Sequence, residues 1–389
     1  VNPTPAQPAE TITDPDLFRA SFPSLAENVH LASCSQGAAS YQLSDALAEF
    51  QRSMHVHGAP WEIWMDQVEQ ARRGFAKLIG AEPDEVAVLA NATEGAFQAA
   101  STRSYAERPR IVTTDMEFPS IAHVWLAQRA RGAEVVHVGA KDGQVRTEDY
   151  LDAIDERTRL VSVPLVSYRN GLRLPVREVI TRAKEQGATT FVDAYQAAGV
   201  HRIDVEELGC DFLVAGALKY VLGIPGIAFL YARRGVQDAV APQLTGWFGR
   251  ENPFAFDPRS VDHPARASRY ETGTPGIPAA YGANAGLDLV NRLDATAVHD
   301  HVSGLTQRLQ DELLVAGERL WSPTDPASRG PQIALLDDAP GELAAWLAER
   351  RIATSPRGTV LRMSFHFYNN ESDVDAVVAA IADYRRSGR

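Results

Sequence analysis

Lys219 follows the apolar run 212–215 and stands just ahead of a glycine-rich turn, Gly223-Ile224-Pro225-Gly226. Asp193 closes an earlier apolar run, 190–193, and Gln196 comes three residues later. A lysine amine can hold an aldehyde as a Schiff base. A carboxylate one strand away can pair with a pyridinium nitrogen and keep it protonated. An acid at one strand end and a lysine after the next are what pyridoxal 5'-phosphate needs. Lys219 and Asp193 are therefore the expected catalytic pair.

Such a pair has to be positioned by strands. Near-continuous apolar runs at 86–89, 111–114, 134–138, 160–166, 190–193, 212–215 and 227–231 read as strands covered on both faces. Helical patterns precede them at 43–54 and 64–79, and alternate with them at 121–131, 147–154 and 176–186. The alternation predicts a mostly parallel α/β sheet. Ligands bind beyond the carboxyl ends of such strands, where Asp193 and Lys219 fall. After about residue 250 a loop rich in Pro, Arg and Asp runs to 275. Helices at 279–293 and 297–316 follow, then strands at 332–336 and 360–365 with helices at 341–350 and 373–385. The expected organisation is an N-terminal arm and segment, 1–40, packing on a smaller C-terminal α/β domain, 276–389, beside a large cofactor-binding domain, 41–275.

Composition narrows the class of function. The 389 residues suffice for a large core, and 45% hydrophobic with 23% charged residues is ordinary for a globular protein. A net charge of -12 argues against nucleic-acid or anionic-membrane partners. No apolar run approaches the roughly 18–20 residues of a membrane span, and no signal-peptide pattern opens the chain. Cys34 and Cys210 lie far apart without metal-ligand spacing. That suits a reducing cytoplasm. His55 with His57, and His299 with His301, lack a third ligand, so no metal is expected.

Further motifs lie in order along the chain. Asn91-Ala92-Thr93-Glu94-Gly95 follows the first long strand and opens a helix, a suitable phosphate cradle. Glu117-Phe118-Pro119 could present an aromatic face to a flat ring. Arg269-Tyr270-Glu271-Thr272-Gly273-Thr274-Pro275 precedes the second domain, and Arg362 stands in an Arg-x-Ser-x-x-x-Tyr-Asn run ending at Asn369. From about residue 22 to 384 the chain resembles the class V aminotransferase family of pyridoxal phosphate enzymes. That family includes cysteine desulfurases, kynureninases, C–S lyases and isopenicillin N epimerase. The Asp-x-x-Gln pair, the Gly-Thr-Pro and the arginine motif carry the resemblance through their shared order and spacing.

The resemblance implies a fold type I PLP-dependent transferase, with a mostly parallel seven-stranded central sheet. It implies that Lys219 forms the Schiff base and shuttles the α-proton, Asp193 pairs with the ring nitrogen and Gln196 reaches the phenolic oxygen. Phe118 would stack on the ring, and Ala92 and Thr93 would hold the phosphate. Thr274 and Trp247 would reach the partner's cofactor in a homodimer. Arg362 would clamp the α-carboxylate of an amino-acid substrate, with Ser33 and Tyr168 beside it.

The departures bear on the reaction. Desulfurases place Ser and His where this chain has Gly216 and Leu218, so one phosphate ligand and one acid/base group are absent. Tyr168 replaces a usual Asn, and Ala32-Ser33-Cys34-Ser35-Gln36 replaces Asp-Asn-Ala-Ala-Thr. The loop 353–358 has no cysteine to carry a persulfide. The expected enzyme acts through an external aldimine and Cα carbanion as a β-eliminating C–S lyase on a cysteine-type substrate. Class V aminotransferase is the alternative. Epimerase, kynureninase-like hydrolase and a non-catalytic binding protein stand further off.

Overall fold

The computed structural model describes residues 11–236 and 240–388, so the first ten residues of the expected arm lie outside it. Strand β1 (Val29–His30) comes first, after helix α1 (Pro15–Arg19). Helices α2 (Tyr41–His57) and α3 (Trp61–Ile79) lead into β2 (Val86–Leu89) and α4 (Ala92–Ser101). Then come β3 (Arg110–Thr114), α5 (Pro119–Ala127), β4 (Glu134–Val138), α6 (Thr147–Ala153) and β5 (Thr158–Pro164). They are followed by α7 (Val176–Glu185), β6 (Thr189–Asp193), α8 (Val205–Leu208), β7 (Phe212–Gly216) and β8 (Ala228–Ala232). Helices α9 (Ile277–Val290) and α10 (Ala295–Val315) open the C-terminal part. It continues with β9 (Gln332–Leu336), α11 (Pro340–Ala348), β10 (Ile352–Ala353), β11 (Ser355–Arg357), β12 (Val360–Ser364) and α12 (Glu371–Arg386).

The central sheet has seven strands in the order β2-β8-β7-β6-β5-β3-β4. Strands β4, β3, β5, β6 and β7 run parallel, while β8 is antiparallel to both of its neighbours. The apolar runs are continuous because alternate residues face different cores. On β7, Phe212 and Val214 meet Leu89, Trp125 and Tyr270 on one side. Leu213 and Ala215 meet Phe75, Ile79 and Ile180 on the other. Ring contacts fix both layers: Phe75 stacks on Phe229 at 4.4 Å, and Trp125 meets Phe191 edge-on at 5.1 Å. Crossover helices leave every parallel strand end on one edge, which is where a ligand can reach backbone and side chains together.

The C-terminal part carries an antiparallel sheet in the order β11-β12-β9. The N-terminal segment joins it, since β1 pairs in parallel with β10 and Ala32 bridges Ser364. None of β1, β10 and β11 exceeds three residues, too short for a period-2 pattern to announce them. Between 247 and 270 the chain makes only single 3-10 turns. No helix of the described residues is long and apolar enough to cross a membrane.

One buried ion pair clamps that loop to the large sheet. Glu271 Oε1 accepts from Arg72 Nη1 at 2.6 Å and from the Val88 amide at 2.9 Å. Both side chains are buried; Arg72 keeps a second carboxylate, Glu69 Oε1 at 2.9 Å, so removing Glu271 leaves the Val88 amide and one guanidinium N–H without an acceptor. Glu271→Ala should therefore cost about 2–3 kcal/mol in urea unfolding of the cofactor-free protein. Glu271→Gln, which keeps an acceptor, should cost clearly less. A loss below about 1 kcal/mol for the alanine variant, the range of an exposed pair, would refute the clamp.

Candidate active site

Strand β7 ends at Gly216, and the chain turns at once into Ala217-Leu218-Lys219. The turn is closed by Leu222, which adopts the left-handed region with φ 64° and donates its amide to Lys219 O at 3.1 Å. Gly37 packs against it, its amide donating to Leu218 O at 3.1 Å. A Cβ at Gly37 would overlap the Lys219 carbonyl and stand 2.7 Å from Leu222 Cδ2, so only glycine allows this approach. On the other flank, His366 Nε2 bonds Tyr220 O at 2.9 Å while its Nδ1 accepts the Phe367 amide. The lysine is thus held by both the N-terminal segment and the extension of β12.

The Lys219 amine lies 4.3 Å from the centroid of Tyr195 and 5.5 Å from that of Phe118. Burial between these rings lowers its pKa to about 8. The Asp193 carboxylate works against that shift, and the Arg362 and Arg357 guanidiniums add to it. Asp193, at the end of β6, accepts the Tyr195 amide at 2.8 Å. Behind it sits Glu117, fully enclosed, accepting from Ser162 Oγ at 2.6 Å and from the Phe118 amide at 3.0 Å. Burial raises both carboxyl pKa values, and the Asp193 charge raises that of Glu117 further. Only Asp193 feels the lysine cation, so the proton resides on Glu117 and the negative charge on Asp193.

Helix α4 begins at the rim of the same cavity. Asn91 caps it by accepting the Glu94 amide at 3.0 Å. The amides of Ala92 and Thr93 find no acceptor among the described residues. Gln196 donates to Cys34 O at 3.1 Å and leaves its Oε1 buried without a partner. Phe118, at the N-terminal end of α5, meets Tyr168 edge-on at 5.1 Å.

Of the residues expected from the sequence, Ala92, Thr93, Phe118, Tyr168, Asp193, Gln196 and Lys219 line one cavity of about 220 Å³. Arg362 stands next to it, its Nη1 on Tyr168 O at 2.8 Å, its Nη2 on Ser355 Oγ at 2.7 Å and its Nε on Ser355 O at 3.2 Å. Ser33 is not brought in. Its hydroxyl is taken by Tyr368 at 2.7 Å, inside the packing between the N-terminal segment and the C-terminal layer. Trp247 and Thr274 also stay outside this chain's cavity. Trp247 sits in a partly exposed aromatic group with Trp61, Phe254 and Phe256, and Thr274 is exposed. Sequence reasoning gave Tyr195 and Glu117 no role. Both flank residues already singled out, so the signal was adjacency to Gln196 and Phe118.

The donors present fit pyridoxal phosphate. A buried amine of lowered pKa, a buried anion across from it, an aromatic face, an unpartnered amide oxygen and two free helix amides surround one space. Comparison with known proteins agrees. The family described as Aminotransferase class-V matches residues 36–377. A Bacillus subtilis (strain 168) protein described as an uncharacterized aminotransferase, YcbU, is 36% identical over 95% of this chain and 97% of its own length. A probable cysteine desulfurase of Streptomyces coelicolor is 29% identical over 96% of this chain and 98% of its own. Among solved structures, the apo cysteine desulfurase of Thermococcus onnurineus NA1 superposes with a TM-score of 0.86 at 22% identity, covering 97% of this chain and 100% of that one. With the family matched over most of its length and a lysine, acid and phosphate cradle converging at the sheet edge, this chain belongs to the class-V aminotransferases and is a pyridoxal-phosphate-dependent enzyme.

Proposed function

We propose that this enzyme takes a cysteine-type L-amino acid and eliminates the sulfur substituent from Cβ. Arg362 is the observation that carries the reading. Its guanidinium is 2% exposed, faces carbonyl and hydroxyl oxygens, and has no acidic partner among the described residues. A buried cation without a counter-ion costs several kcal/mol, which an arriving α-carboxylate offsets. The guanidinium fork suits that group in a bidentate grip.

Lys219 would then serve as the base. A pKa near 8 leaves a useful neutral fraction of amine at neutral pH. Bound pyridoxal phosphate supplies an electron sink for the pair left on Cα. The α-proton passes to Lys219 Nζ, the Cα–H pair becomes the Cα–Cβ double bond, and the Cβ–S bond breaks with its electrons leaving on sulfur. Hydrolysis of the released product gives pyruvate and ammonia. Apolar walls from Met116, Ile121, Val166 and Leu218 suit a soft sulfur substituent. The loop 353–358 offers no thiol, and its Ser355 hydroxyl is engaged by Arg362, so sulfur departs on the small molecule.

In this reading Asp193, Gln196, Phe118, Ala92 and Thr93 hold the cofactor, and Tyr168 borders the substrate. We assign residues 41–275 and 276–389 to a large and a small domain that close over it. The exposed aromatic group around Trp247 supports a homodimer in which Trp247 and Thr274 serve the partner's site. Two buried, unpaired cysteines support a cytoplasmic setting. Transamination is the second reading, favoured by the description of the 36% identical relative.

Incubation with L-cystine, without any keto-acid acceptor, should give many turnovers of pyruvate. One equivalent of keto acid, with activity restored only by an added acceptor, would establish transamination instead. Arg362→Ala should lower kcat/KM by roughly 30-fold or more, as for a buried charge partner, with Arg362→Lys recovering part of it. Equal activity in the alanine variant would remove Arg362 from substrate binding.

The amine also makes a pH prediction. A lysine lowered on folding binds fewer protons in the folded state between about 8 and 10.5, so its burial costs stability at lower pH and that cost fades as pH rises. Reductive methylation of Lys219 in the cofactor-free protein, followed by peptide mass spectrometry, should show a midpoint near 8. Arg362→Ala should move the midpoint up and Asp193→Asn should move it down. A midpoint near the ordinary lysine value of about 10.4 would contradict the geometry.

A further inference from the structure

We infer that the Tyr195 hydroxyl is a ligand for the phosphate of the bound cofactor, and that residue 216 is glycine to leave that hydroxyl its place. The inference rests on the cofactor reading of this cavity and adds a residue to it. Tyr195 leaves the end of β6 with its amide fixed on Asp193 and its ring beneath the Lys219 amine. From there the side chain runs across the sheet to β7. A Cβ added at Gly216 would overlap the Tyr195 hydroxyl and would stand 2.6 Å from Cε2 of the ring. Tyr195 therefore occupies the space that any side chain at 216 would take.

That space lies under the start of α4. Gly216 and Val214 share one face of β7, because side chains alternate along a strand. Gly95 of α4 packs on that face, so closely that a Cβ there would be 2.9 Å from Val214 Cγ2. Two residues further along β7 towards its carboxyl end, and about one turn back along α4, Gly216 comes below Ala92 and Thr93. These are the residues whose amides lack acceptors, and they line the cavity together with Tyr195. The buried, unpartnered Gln196 Oε1 lines the same cavity and marks it as built for a polar guest.

The phenol is in the right state to donate. The Leu218 amide donates to the phenolic oxygen, which leaves the O–H proton for another acceptor. Burial, with the Asp193 charge nearby, keeps the group protonated to about 12, so at neutral pH it is a donor and not a repelling anion. A hydrogen bond to a phosphoryl oxygen is of the charge-assisted kind. Tyr195 would thus give one hydroxyl to the phosphate and one aromatic face to the slot opposite Phe118.

Equilibrium titration of the cofactor-free protein with pyridoxal phosphate and with unphosphorylated pyridoxal separates the phosphate from the ring. Tryptophan fluorescence and the ligand-induced rise in Tm read binding without any turnover. Tyr195→Phe keeps the ring and should weaken pyridoxal phosphate by roughly tenfold to a hundredfold. Its affinity for pyridoxal should stay at the parent value, while the Tm of the cofactor-free variant falls slightly because the Leu218 amide loses its acceptor. Equal losses for both ligands, or no loss for either, would overturn the inference. Gly216→Ser alone should also weaken pyridoxal phosphate, because serine collides with Tyr195. Tyr195→Ala with Gly216→Ser should bind it better than Tyr195→Ala alone, since the serine hydroxyl then enters the vacated space. No recovery in that double variant counts against the shared position. If the parent protein itself does not prefer pyridoxal phosphate over pyridoxal, the cofactor reading fails first, and the Tyr195 assignment falls with it.

Discussion

A lysine amine taken out of water is the constraint around which this molecule is arranged. Desolvation favours its neutral form, while a single nearby carboxylate, Asp193, pulls the other way. A balance near neutrality needs both groups at fixed separation, and fixed separation needs adjacent strands. Parallel β6 and β7 provide it, because each delivers its last residues to the same edge. Antiparallel neighbours would have sent one of the two groups to the opposite end of the sheet. Glu117 completes the arrangement by holding a proton behind Asp193, so the pocket carries one negative charge and not two.

The second cation arrives from elsewhere in the fold. Arg362 belongs to β12 of the C-terminal sheet, yet it bonds the carbonyl of Tyr168 beyond the end of β5. Two further ties run between the layers, from Gly37 to Leu218 and from His366 to Tyr220. They grip the short segment that bears the lysine from both sides. The C-terminal layer therefore sets the position of the Arg362 guanidinium and of the segment that bears Lys219.

Much of this was legible in the sequence where a local pattern had a local cause. Seven apolar runs gave seven strands, and strand ends pointed to Lys219 and Asp193. The direction of β8 was not legible, because an apolar run has no polarity of its own. Ser33 shows another limit. Its hydroxyl partner, Tyr368, lies 335 residues away, and only the folded chain reveals the bond. Tyr195 was hidden for a different reason. It stands between two residues that carry the Asp-x-x-Gln signal, and a variable position inside a motif attracts no attention until its side chain is seen to fill the space over Gly216. The short strands β1, β10 and β11 are products of long-range pairing and carry too few residues for any periodicity.

The way Arg362 is aimed has a consequence for how such a site can diversify. Two of its three bonds end on main-chain oxygens, those of Ser355 and Tyr168, which persist whatever side chain those positions carry. In the role proposed for Arg362, the grip on a carboxylate is in this sense written into the path of the backbone. Side chains around the cavity, Met116, Ile121 and Tyr168 among them, remain free to drift without releasing it. On that proposal, a lineage built on this scaffold can exchange one substrate for another in small steps, each intermediate still holding an amino acid by the same end.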